Sequence, residues 1–401
     1  MRSTTTALER CVGDERRFAE EHWGKAPLLH RHPGGRFDDL LNLADVDHLV
    51  MATLLRSPAV RLVKDGKPIP PSSYTHTITI GARKVSEAIR PERVLDAFAG
   101  GATIVLQALH RQWTPVARFC RELELALTHP VQANAYVTPA TSRGFAIHHD
   151  THDVFVLQTH GTKSWRVYAP IVEVAGKEQR WSNGLGDPGP PVLETELRPG
   201  DSLYIPRGFP HDAEAREEVS IHVTVGILAR TWLDLWRHVM RDATNHAPFR
   251  EALPIGFARS PEGLAERMAA ATDEFRAWFD KAAGREAAAS FTREFWSRRR
   301  PLLDGQLLQV AHLDHVGPKT LLRRRPDSVF EVSRDGTEAV LLLGGRELRM
   351  PAFVEPVLRF LGRAETFSAG DLPGDLDPDS RVVLLRRLVR EGALEVLVLG
   401  G

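Results

Sequence analysis

The chain has 401 residues, too many for one ordinary hydrophobic core, so two or three domains are expected. Hydrophobic residues make up 42% and charged residues 26%, the balance of a globular chain, which excludes a disordered one. The 52 basic and 52 acidic residues cancel, so no global field favours nucleic acid or an anionic membrane.

The opening residues, MRSTTTALERCVGDERRFAEEHW, carry acidic groups and no apolar stretch of signal-peptide type. No run approaches the roughly 18 apolar residues of a membrane span. Two cysteines, Cys11 and Cys120, are too few for a disulfide framework or a Cys-rich metal site and suit a reducing compartment. The expected location is the cytoplasm.

Up to about residue 60 the apolar spacing predicts helices, in ALERCVGDERRFAEEHW and LADVDHLVMATLL. A strand, VRLVKDGKPI, ends at the Pro70-Pro71 turn. Residues 85–127 read as helical, with TIVLQAL between the helices as a buried strand and Gly100-Gly101 as a helix stop. Near residue 130 the texture changes to short β-prone runs bounded by Gly, Pro, Asn or Asp: VQANAYVTP, FAIHHD, DVFVLQTHG, KSWRVYAP, SLYIP and VSIHVTVGIL. That rhythm belongs to an antiparallel barrel or sandwich. WSNGLGDPGPP, at 181–191, reads as a long loop of the kind that carries substrate contacts at a barrel mouth.

From 230 to 300 the sequence is helical, with more apolar and aromatic surface than a lone hairpin could hide; packing on the barrel and dimerisation both account for it. The last segment mixes helices (PAFVEPVLRFLG, RVVLLRRLVREG) with strands (SVFEVS, AVLLLGG, LEVLVLG), an order similar to a winged helix. The expected division is 1–84 leading into the barrel, 85–229 the barrel domain, 230–300 a helical region and 301–401 a terminal domain.

The chemistry concentrates in GFAIHHDTHDVFVLQTHGTKSWRVY. His148-x-Asp150 sets two metal-ligand types at alternate positions of an extended strand, hence on one face. A third ligand, His211, arrives in the Pro-Arg-Gly-x-x-His element 61 residues after Asp150. Two imidazoles and one carboxylate form the facial triad of non-haem Fe(II) oxygenases, leaving positions for a bidentate 2-oxo acid and for dioxygen.

His-x-Asp is short, and a chain with 17 histidines holds about one by chance. His312-Leu313-Asp314 is a second copy; with no barrel strands after it, it reads as a solvated turn. His149 alternates away from the pair and is no ligand. His152 and His160 read as surface or turn residues, and His222 lies on a late barrel strand that could face inward. Lys163, on the strand after the metal segment, is the candidate cation for the distal carboxylate of 2-oxoglutarate.

These residues, with LRPGDSLYIPRGFPHDA and SIHVTVG, closely resemble the ribosomal oxygenase branch of the JmjC-domain hydroxylases. The resemblance covers nearly the whole chain, RFAEEHWGKAPLLHRH included. It implies an α+β fold built on a double-stranded β-helix (JmjC/cupin barrel), a helical homodimerisation region at 230–300 and a C-terminal winged helix. It places the iron ligands on His148, Asp150 and His211 and the 2-oxoglutarate anchor on Lys163. It assigns substrate contacts to Asn134 and Tyr136, which match an Asn-x-Tyr pair in relatives that hydroxylate histidine.

Those relatives carry a serine where this chain has Gly226, so the expected ribosomal-protein target is a histidine or an arginine. Hydroxylation and demethylation both stay open. Residues 301–401 hold 13 basic and 15 acidic residues, which argues against direct DNA binding. Two rival readings keep the same barrel: a hydroxylase tailoring a biosynthetic peptide or small molecule, and a non-catalytic metal-binding cupin acting as a binding protein.

Overall fold

The computed structural model describes residues 5–32, 37–142 and 146–397. Two compact units emerge, Met1–Ala229 and Arg230–Gly401. Among the described residues no helix is long and apolar enough to cross a membrane.

In the first unit the strands are β1 (Leu28–His30), β2 (Val60–Lys64), β3 (Lys67–Pro68), β4 (Thr75–Ile80), β5 (Arg83–Ile89), β6 (Thr103–Leu106), β7 (Val131–Thr138), β8 (Asp153–His160), β9 (Lys163–Tyr168), β10 (Pro191–Leu197), β11 (Ser202–Ile205), β12 (His211–Ala215) and β13 (Ser220–Ile227). Eight of them form one sheet in the order β1-β11-β8-β13-β7-β6-β2-β3, and β10-β9-β12 form a second; every pairing is antiparallel. The antiparallel pairing is that expected from the strand rhythm, and the mixed helix-and-sheet cupin architecture is that implied by the resemblance.

Alternation along each strand sorts the side chains. On β7, Val131, Ala133, Ala135 and Val137 enter the main apolar core, while Gln132, Asn134, Tyr136 and Thr138 take the opposite face. On β13, Ile221, Val223, Val225 and Ile227 join that core and His222, Thr224 and Gly226 face the other way. The helices Ala7–Val12 and Thr114–Leu127 supply the apolar partner for this outer face through Leu8, Cys11, Val116, Phe119 and Leu123. Strand β8 is apolar on both sides because it is covered on both: Phe155 and Leu157 enter the main core, Val154 and Val156 a smaller one with Trp165, Val167 and Leu197.

Local signals explain the helix starts. Thr6 and Asn42 each close a capping box, with Glu9 and Asp45 respectively. Pro91 opens the helix Pro91–Ala99 and Gly100 caps its end. The expectation of helix from residue 85 is corrected: Arg83–Ile89 is the second arm of a hairpin with β4, and the helix begins only after Arg90. Cross-strand pairing outweighs the helical preference of VSEAI. PVLETEL, which begins at the last residue of the expected 181–191 loop and has no predicted element, is β10. Cys11 and Cys120 are both free and buried, and burial pushes their thiols up.

The second unit contains helices Trp232–Ala243, Pro261–Trp278 and Gly284–Ser297, then Gln306–Ala311, Glu355–Leu361 and Pro378–Arg390. Its strands are β14 (Leu322–Arg324), β15 (Glu331–Asp335), β16 (Glu338–Leu343), β17 (Arg346–Pro351) and β18 (Leu394–Val396). They form a β15-β16-β17 sheet and a β14-β18 pair around a separate core with Leu341, Leu358, Leu385 and Leu388. The end of the LEVLVLG run, from residue 398 onward, lies outside the described residues, as does Phe145 of FAIHHD.

Candidate active site

The inward faces of β2, β6, β7, β8, β9, β12 and β13 enclose a cavity of about 290 Å³. His148, Asp150 and His211 meet in its wall, with one ligand atom from each lying within 4.8 Å of the others, the one such group among the described residues. Elsewhere His312-Leu313-Asp314 ends a helix and enters a short 3₁₀ turn without forming a cluster.

The backbone reaches this arrangement differently from the expected strand. His148 pairs in an isolated antiparallel bridge with His211, its N–H donating to the His211 carbonyl at 3.2 Å and its own carbonyl accepting at 2.8 Å. Asp150 lies in irregular chain, its carbonyl accepting from the Gly208 N–H at 3.0 Å. The ladder breaks because the chain turns here into β8. The Pro206–His211 element therefore clasps both His148 and Asp150 through its own backbone.

Gly208 makes that clasp possible. Its φ is +87°, and a Cβ there would stand 2.4 Å from the Val172 carbonyl. Beside it, buried Asp153 accepts from the Arg207 N–H at 2.8 Å. Burial holds this carboxyl above its ordinary range despite the Arg207 contacts.

The two imidazoles are set up alike. Nδ1 of His148 lies 2.8 Å from the Ala146 carbonyl, and Nδ1 of His211 lies 3.0 Å from the Phe209 carbonyl. A carbonyl only accepts, so each Nδ1 carries the proton and each Nε2 keeps its lone pair. Nε2 of His211 is 3.8 Å from the Asp150 carboxylate. Burial, followed by the neighbouring His148, pulls His211 down to about 4, so it is neutral at pH 7, the form that binds metal. Donor set and tautomers fit a divalent metal ion.

At the other end of the cavity Lys163 is buried, and its Nζ donates to Thr138 Oγ1 at 3.0 Å. Burial alone draws its pKa down to about 7. Tyr136 lies against His222, the rings stacked at 4.9 Å and 5° apart, and Trp165 meets His222 edge-on at 5.4 Å. Burial raises the Tyr136 hydroxyl to about 12, and pulls His222 well down, helped by the Lys163 charge. Asn134 bonds the Tyr136 hydroxyl and accepts the Ala108 N–H at 3.0 Å.

The structure thus gathers His148, Asp150, His211, Lys163, Asn134 and Tyr136 around one cavity. His149 points away, its Nε2 2.9 Å from the Gln179 carbonyl. His152, read from the sequence as a surface residue, is a correction: it lines the cavity, with its Nδ1 buried and without a partner. Gly226 is its counterpart, since a Cβ there would lie 3.0 Å from the His152 ring. Arg61, Trp165 and Thr138 were missed. The period-two pattern marks them as inward once a neighbour's face is known, but the strand order that supplies this is non-local.

Residues 107–235 match the JmjC domain family. The chain is 34% identical to ribosomal oxygenase 1 of Gallus gallus over 248 residues, 59% of this chain and 40% of that protein. It is 37% identical over 181 residues to the bifunctional lysine-specific demethylase and histidyl-hydroxylase NO66 of Dictyostelium discoideum, covering 41% of this chain and 35% of that protein. The chain therefore spans about two fifths or less of the length of these relatives. Its fold is similar to that of YcfD, a ribosomal oxygenase from Escherichia coli solved in complex with cobalt and 2-oxoglutarate. The TM-score is 0.56 at 20% identity, over 96% of this chain and 98% of that one, a likeness of fold.

Proposed function

We propose that this JmjC-domain chain is an Fe(II)- and 2-oxoglutarate-dependent oxygenase that hydroxylates a side chain of a protein, with a ribosomal protein as substrate. The observation that carries the reading is one cavity holding both a His-Asp-His cluster and a buried lysine with no acidic partner among the described residues. The relatives' names support the substrate class.

In this reading His148, Asp150 and His211 hold the metal, Lys163 and Thr138 receive the distal carboxylate of 2-oxoglutarate, and Asn134 and Tyr136 contact the substrate. Bound iron would supply oxygen activation coupled to decarboxylation of 2-oxoglutarate to succinate and CO2, with hydroxylation of a substrate C–H bond. The chain's own residues orient and exclude water. The carbonyls of Ala146 and Phe209 lock the two imidazoles in the ligating tautomer. Trp165, Val154 and Val156 wall the cavity with apolar surface, which strengthens charge interactions inside it. Residues 230–300 form a dimerisation region in this proposal, consistent with exposed Trp232, Trp236, Met240 and Met268. Residues 301–401 form a winged helix that does not read DNA, 1–84 lead into the 85–229 catalytic domain, and the protein works in the cytoplasm.

The test is succinate formation by anaerobically Fe(II)-loaded protein, with and without purified ribosomes, beside His148→Ala. Ribosome-stimulated turnover that disappears in the variant supports the proposal. Turnover indifferent to ribosomes keeps the oxygenase and moves the substrate elsewhere, and no turnover at all favours a binding protein.

A further inference from the structure

The charge inventory of the cavity is uneven. Its lining includes two carboxylates, Asp150 and Asp212, and two permanent or potential cations besides histidine, Lys163 and Arg61. Asp150 belongs to the metal cluster. Asp212 is engaged by Arg166 at 2.5 Å and by the Tyr168 hydroxyl at 3.3 Å. Lys163 belongs to the co-substrate end, which leaves Arg61.

Arg61 stands opposite Val105, Val105 opposite Tyr136 and Tyr136 opposite His222, one row across the sheet, so Arg61 shares their inward face. Its Nε–H is buried with no acceptor, and among the described residues no carboxylate lies within ion-pair distance of it. An Nε–H can only donate, and a buried donor without an acceptor is costly. A planar guanidinium matches a carboxylate through two parallel hydrogen bonds. Conversely, no carboxylate in the lining is free to receive a guanidinium or an imidazolium.

We propose that Arg61 is a specificity-determining residue that receives a carboxylate of the substrate, so that the side chain presented for hydroxylation is acidic. This rests on the oxygenase reading. It departs from the basic or imidazole targets that the resemblance implied, in keeping with Gly226 and the His152 ring packed against it on another part of the wall.

The test offers Fe(II)-loaded protein pools of short peptides with randomised flanks and Asp, Glu, Asn, Gln, His or Arg fixed at the centre. Succinate and the gain of one oxygen atom in the peptide are measured. The Asp or Glu pool is expected to be hydroxylated best. Arg61→Gln raises KM for that pool roughly ten- to a hundredfold, the loss of a charge-assisted hydrogen bond. Arg61→Lys recovers part of this, and Arg61→Glu moves the preference to the Arg or His pool. A wild-type preference for the Arg or His pool overturns the proposal, as does a KM rise confined to 2-oxoglutarate, which would make Arg61 a co-substrate ligand. Succinate made by the wild type with no acidic pool hydroxylated sinks this proposal alone; no succinate under any condition sinks the oxygenase reading instead.

Discussion

Replacing Lys163 by Met should make the metal-free protein more stable and, on the proposed reading, end 2-oxoglutarate turnover. Lys163 is buried, and burial draws its pKa from 10.5 to about 7. At 1.36 kcal/mol per pH unit, that fall is a penalty of about 5 kcal/mol on the charged folded state. At pH 7, where about half of the folded molecules hold the proton, about 4 kcal/mol of it is expressed. Methionine keeps the aliphatic stem and forfeits only the hydrogen bond to Thr138. The expected net gain is about 2 to 4 kcal/mol. The sign follows from linkage: between about pH 7 and 10.5 the unfolded chain binds more protons than the folded one, so the wild type gains stability as pH rises. The variant lacks that slope, and its advantage shrinks from pH 7 towards pH 10. Urea unfolding of both proteins at pH 6, 7, 8.5 and 9.5 in chelator reads this directly. A variant less stable than the wild type at pH 7, or a difference that does not change with pH, refutes the argument.

On the proposed reading the same group governs co-substrate binding. Above about pH 7, capture of a carboxylate by Lys163 takes up close to one proton, so calorimetry with Mn(II)-loaded protein in buffers of different ionisation enthalpy should show uptake at pH 8 and little at pH 6. Gly208→Ala should cost about 2 kcal/mol or more and weaken Mn(II) binding, measured by urea unfolding and by metal titration, because a Cβ at +87° meets the Val172 carbonyl, which is backbone. Gly226→Ser should displace the His152 ring at a cost of about 1 to 3 kcal/mol, and His152→Ala in the same chain should recover most of it. Additive losses in that double mutant, read by thermal unfolding, would mean that the two residues do not share the space.

Strands β7, β8, β9, β11 and β13 were legible because each alternates or runs apolar between turn residues; β10 and β12, polar along most of their length, were not, and FAIHHD, read as a strand, keeps only an isolated bridge at His148. The VSEAI segment was not legible either. Its Ala and Glu favour helix, and only pairing with β4, through the turn at Gly81, makes it a strand. The triad was legible as residue types and spacing, yet its geometry was not, since His148 and Asp150 converge through bonds to Gly208 and His211 and not through a regular strand. His152 and Arg61 were hidden for a related reason. Whether a polar residue at a strand end faces solvent or a cavity depends on which strands close over it, and β13 sits between β7 and β8, its partners from distant parts of the chain.

That topology also explains how a polar cavity is tolerated in a small barrel. The apolar residues of β7 and β13 point outward, into the core shared with Ala7–Val12 and Thr114–Leu127, and the inward positions hold Gln132, Asn134, Tyr136, Thr138, His222 and Thr224. Most of the sheet's apolar burial therefore lies on the face opposite the cavity. Side chains inside can keep unmet hydrogen-bonding capacity, as Nδ1 of His152 and His222 and Nε of Arg61 do, because the outer core holds the strands in place. Substitutions on the outer face, such as Val223→Ala, should accordingly lower stability by about 2 kcal/mol, whereas apolar replacements on the inner face at Lys163 raise it and remove function. On β7 and β13 the packing face and the cavity face are opposite sides of the same strands, and the helices Ala7–Val12 and Thr114–Leu127, by covering the outer side, help hold the cavity wall in place.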